Sequence, residues 1–127
     1  MPIVYVVNEP VKRDPETGQM KRIYDLIPAE GFGSLVYLLP PGDVPGDSKR
    51  IIDMLWDGLA RFKPTDYLLP IGHPLYIAWA ATVAAQKAGG TLTMLLWDNK
   101  YRCYRPVHAV LWTLEPENQH ERESTCC

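Results

Sequence analysis

Hydrophobic positions along the chain alternate between short unbroken runs and longer periodic ones. Ile3–Val7, Ser34–Leu39, Asp66–Ile71 and Thr91–Trp97 are dominated by aliphatic, β-branched and aromatic residues, which is the pattern of strands, buried ones at Ile3–Val7 and Asp66–Ile71. Between the second and third runs, Ile51, Ile52, Leu55, Leu59 and Phe62 recur at helical spacing with charged residues mostly elsewhere. That spacing predicts an amphipathic helix over 51–62, capped by Asp47 or Ser48 and ended by Lys63-Pro64-Thr65. A second helix is expected over 75–88, with Pro74 at its first position and Gly89-Gly90 after its end, where each residue is favoured.

Strands alternating with helices are the signature of an α/β fold. Asp98-Asn99-Lys100 then reads as a hairpin turn leading to an antiparallel fifth strand within 101–112, which Pro106 bulges or confines to an edge. Residues 8–33 break the pattern with prolines, glycines and charges around one apolar island, Ile23–Ile27, leaving room for a strand or a single helical turn. A connection this long is usually functional or mobile. The expected architecture is a single small α/β domain over 1–114, with a mostly parallel, twisted sheet of four to five strands flanked by helices and a C-terminal antiparallel hairpin. Residues 115–127 read as a disordered polar tail.

Composition narrows the classes. With 127 residues the chain can bury a core without staples, and 46% hydrophobic against 22% charged residues is ordinary globular content. A net charge of −2 argues against a broad phosphate-neutralising surface. No apolar run approaches membrane-spanning length and the N-terminus lacks the features of a signal peptide, so a cytosolic location is expected. Cys103, Cys126 and Cys127 form no disulfide framework, and no Cys or His pair has zinc spacing. No metal, cofactor or catalytic residue is assigned.

Three features carry candidate function. Gly72-His73-Pro74 joins the third strand to the second helix, at the end of an open parallel sheet where ligands bind. Gly72 and His73, with Ser48 from the neighbouring loop, are the candidate ligand-binding residues for a nucleotide or phosphate ester. Turn chemistry alone also accounts for this triplet, and no phosphate-binding glycine fingerprint accompanies it.

The second feature is the second helix itself. From Leu75 to Ala85 only Thr82 is polar besides the Tyr76 hydroxyl and the Trp79 indole. A helix apolar all round has to be covered all round, so Leu75, Tyr76, Trp79 and Val83 are candidate interface residues for a homo-oligomer, or the long N-terminal connection covers them. Third, Trp97, Lys100, Tyr101, Arg102, Tyr104 and Arg105 interleave aromatic and basic residues on the hairpin. Such chemistry stacks bases and neutralises phosphates, and it equally keeps an edge strand soluble.

The segments VYVVN, AEGFGSLVYL, PTDYLLPIGHPLYIAWAATVAA and GGTLTMLLWDNKYRCYRPV, in that order, resemble a family of small phage and prophage α/β proteins. The resemblance covers roughly residues 3–107 and implies a phage accessory role without supplying catalytic residues. The leading expectation is therefore protein binding, to a second copy or to a host or phage protein, through the second helix or the sheet edge. Nucleotide or phosphate-ester binding or cleavage at Gly72-His73-Pro74 comes second, and nucleic-acid binding through Lys100, Tyr101, Arg102 and Arg105 third.

Overall fold

A computed structural model of the chain describes residues 1–113. In chain order the elements are β1 (Ile3–Val6), β2 (Val11–Arg13), β3 (Met20–Arg22), a 3-10 helix (Ile27–Phe32), β4 (Ser34–Tyr37), α1 (Ser48–Gly58), β5 (Tyr67–Leu69), α2 (Pro74–Lys87), β6 (Thr91–Asp98) and β7 (Cys103–Val110). Five strands form one sheet in the order β4-β1-β5-β6-β7, and β2 and β3 form a separate ribbon. The first four strands of the sheet run parallel and β7 returns antiparallel to β6.

Strand order decides where the helices lie. From β1 the chain steps one way to β4, then back across β1 to β5 and onward to β6. Parallel crossovers are right-handed, so a step in the opposite direction has to cross the opposite face. Both α-helices accordingly contribute to one core, where Leu55, Val83 and Ala84 meet Tyr5, Leu68 and Leu92. The 3-10 helix crosses the other face, where Leu26 and Ala29 join Val4, Val6, Leu69, Leu95 and Tyr104. Consecutive strand residues thus enter different cores, which is why β1 and β5 are apolar without alternation.

α1 begins as its sequence implies, with the Asp47 side chain accepting a hydrogen bond from Arg50 N at 3.0 Å. It ends at Gly58, earlier than the apolar periodicity to Phe62 suggests. Leu59 and Phe62 remain buried, reached through turn bonds from Phe62 N to Leu59 O and from Ala60 N to Asp57 O. Inward apolar residues thus continue past the end of the helical backbone. Phe62 packs its ring 5.3 Å from that of Tyr5.

The N-terminal connection is more ordered than its composition suggests. β2 and β3 pair from Val11 opposite Arg22 to Arg13 opposite Met20, and most of this ribbon is exposed. Its turn is held locally, with Asp14 receiving Glu16 N and pairing with Lys21 at 2.9 Å. Those bonds hold the Asp14 carboxyl below the usual range, the Glu16 backbone bond contributing most and Lys21 next. The tail expected from residue 115, including Cys126 and Cys127, lies outside the described residues. Among those described, no helix is long and apolar enough to cross a membrane.

Candidate functional site

The order β4-β1-β5-β6 reverses direction at β1, so the crevice favoured for ligands lies beyond the carboxyl ends of β1 and β5. Here Asn8 fills it. The Asn8 side chain donates to Pro40 O at 2.9 Å and to Gly42 O at 3.0 Å, and its Oδ1 accepts from His73 N at 3.3 Å. One buried amide therefore joins the ends of β1, β4 and β5. Gly72 completes the closure: its φ is +120°, and a Cβ there would stand 2.4 Å from Asn8 O.

Both helix starts beside this crevice are already capped. Leu75 N donates to His73 Nδ1 at 3.1 Å, and the His73 ring lies 4.9 Å from that of Tyr76. His73 is the N-cap of α2, and Pro74 after it has no N–H to offer. Ser48 is the exposed first residue of α1, next to the Asp47 carboxylate that caps that helix. An anion there would meet a like charge. The structure does not join Gly72, His73 and Ser48 into one concave site.

An open cleft of about 940 Å³ lies one strand further along, at the ends of β5 and β6. Leu69, Ile71 and Gly72 form one wall, Leu95, Trp97 and Tyr104 another, and Ile23, Tyr24 and Asp25 the lip. Trp97 and Tyr104 face each other across β6 and β7 with ring centroids 4.9 Å apart. Trp97 Nε1 donates to Asn99 Oδ1 at 3.2 Å, fixing the indole. Burial, then the carboxylate of Asp25 and then Tyr24 push the Tyr104 phenol pKa above its ordinary value.

The hairpin residues serve several ends. Arg105 pairs with Asp98 at 3.3 Å, and the same carboxylate accepts from Lys100 N and Tyr101 N. Lys100 stands over the Tyr101 ring, while Arg102 lines the cleft. Three cations and an aromatic ring thus share a tip in which one charge is neutralised internally. On α2, Val83 is buried against the sheet, Tyr76 and Trp79 are half-buried, and Leu75 is the one of the four expected interface residues that is largely exposed.

Sequence reasoning missed Asn8 and Asp25, because nothing in their spacing shows that distant segments meet, and it noticed Tyr104 on the hairpin without placing it in a cleft. It also missed Glu9, which is 4% exposed at the end of β1. Arg22 Nε stands 3.0 Å from Glu9 Oε2 but off the hydrogen-bonding direction, so this oxygen has a charge partner and no hydrogen bond among the described residues. Thr93 Oγ1 and His108 Nδ1, 2.7 Å apart, are cross-strand neighbours on β6 and β7. Among the described residues no carboxylate orients that imidazole, and no cluster of ligating side chains could hold a metal ion.

Fold and cleft together define a small single-domain α/β protein with an antiparallel strand added to a parallel sheet. Residues 2–111 match the phage Pam3 gp32-like protein family. The chain belongs to that family. Comparisons with curated proteins and with solved structures gave no match.

Proposed function

We propose that this phage protein works by binding protein, a second copy of itself first, through the β7 edge of its sheet. The supporting observation is the state of that edge. β7 is eight residues long, pairs with β6 alone among the described residues, and carries Val107 and Val110 exposed on its two faces. Leu96 on β6 and Leu111 beyond β7 extend the exposed apolar surface. A long unpaired edge with apolar flanks is a template for strand addition. Pro106 removes one donor, so the Val107–Val110 half of the strand is the pairing segment.

α2 offers less. Its Ala80, Val83, Ala84 and Ala85 are buried in the core, and Leu75 is the one candidate interface residue on it that is largely exposed.

Light scattering across a micromolar concentration series tests the proposal. The expected mass is above 14.4 kDa, falling to the monomer in Val107→Lys with the melting temperature little changed. A wild-type mass of one chain throughout, or an oligomer indifferent to Val107→Lys, would remove self-association through β7.

A further inference from the structure

We propose that the cleft at the ends of β5 and β6 is a binding site for a small molecule with a flat apolar body and a single negative charge, of the aromatic carboxylate class. This inference is independent of self-association through β7. The volume of about 940 Å³ lies within the range of small-molecule sites, at a place in the fold where such sites occur. Size and position alone name no ligand. Two side chains do.

Tyr104 is the first. It is only 8% exposed, yet it lines the cleft, and among the described residues its hydroxyl has no hydrogen-bond partner. Glu9 Oε2 is the one buried side-chain polar atom without a partner among the described residues, so the Tyr104 hydroxyl opens to the cleft, where a ligand acceptor would replace water. Its raised pKa, caused by burial and then by Asp25, keeps the proton in place at neutral pH. The group is therefore a protonated donor within reach of an acceptor on the ligand.

Arg102 is the second. Its φ of 55° puts it in the left-handed region, the only non-glycine residue there among those described. Glycine or asparagine would occupy that turn position at less cost. Arg102 has no carboxylate partner among the described residues, and it lines the cleft. A residue held in a sparsely populated conformation, with an uncommitted charge beside a cavity, points to a ligand. A guanidinium matches a carboxylate through two parallel bonds.

The remaining lining sets the rest of the ligand. Trp97, fixed by Asn99, and the accessible side chains of Ile23, Ile71 and Ile77 take a flat apolar body. Asp25 at the lip opposes a second negative charge, which disfavours phosphate monoesters relative to carboxylates.

Calorimetric titration of the full chain with 2-naphthoate, 2-naphthamide and AMP tests the proposal. 2-Naphthoate should bind saturably at one site and the uncharged amide roughly tenfold more weakly, the usual effect of one charge-assisted hydrogen-bond pair. Arg102→Gly should reduce 2-naphthoate to the level of the amide while the melting temperature holds or rises, since glycine relieves the left-handed backbone. Arg102→Asn should give the same loss, and Tyr104→Phe should weaken both naphthalene ligands. Absence of saturable 2-naphthoate binding, equal affinity for acid and amide, or an unchanged affinity in Arg102→Gly would overturn the proposal. Tighter binding of AMP than of 2-naphthoate would overturn the ligand class in favour of nucleotides.

Discussion

Gly72 and His73 stand side by side in one turn and do different work. Gly72 holds a φ of +120° with Asn8 against its α-carbon, so both its conformation and its lack of a side chain are required. Gly72→Val should cost about 3 kcal/mol or more, from left-handed strain together with displacement of the Asn8 bonds. His73 contributes one cap bond and a ring beside Tyr76. His73→Asn keeps a cap and should change stability by less than about 1 kcal/mol, whereas His73→Ala should lose about that amount. Urea midpoints of the three variants check the ranking. A Gly72→Val protein as stable as His73→Asn would show that Asn8 can withdraw from the crevice.

At the scale of elements, Asp66 sets the starting positions of two strands. It is 1% exposed; its Oδ1 accepts from Ile3 N and its Oδ2 from Lys63 N, each at 3.0 Å. The carboxylate ties the amino end of β1 to the turn before β5, fixing the register in which Val4 faces Tyr67. Asp66→Ala leaves two backbone donors without their acceptor and should cost about 3 kcal/mol. Asp66→Asn keeps one acceptor oxygen and should cost less. Equal denaturant midpoints for the two variants would mean that only one of the bonds matters.

The elements with strong local patterns were the legible ones. The run Ile3–Val7 is apolar because both sheet faces are covered there, and α1 carries its amphipathic period and its cap in sequence. The β2–β3 ribbon was not legible, since VKR and MKR have no buried face to impose alternation. Its pairing rests on Asp14 turn bonds and on Glu9 beside Arg22. The cleft was only half legible: Gly72, Trp97 and Arg102 stood in turns or strands that drew notice. Asp25 reaches it through the crossover of the N-terminal connection, a long-range consequence of strand order, while Tyr104, noticed on the hairpin, faces it from β7.

For the whole molecule, the two cores on opposite faces of one sheet share a vulnerability to alkali. Tyr5 lies in the core beneath the helices and Tyr104 in the core beneath the 3-10 helix. Burial raises the pKa of both, with Asp66 adding to the effect at Tyr5 and Asp25 at Tyr104; Arg61 partly offsets it at Tyr5. A phenol whose pKa is raised by folding binds its proton more tightly in the native state than in the unfolded one. Above the unfolded value of about 10 the unfolded chain loses protons that the native chain retains. Stability is therefore unaffected by these groups below that pH and declines as pH rises toward and through their folded values. Denaturant midpoints at pH 8, 10 and 11 should show this fall beginning near pH 10, and Tyr104→Phe should reduce its slope without abolishing it because Tyr5 remains. A slope unchanged by Tyr104→Phe would mean that the cleft is wet enough to hydrate the phenolate, and that the second core ends below Tyr104.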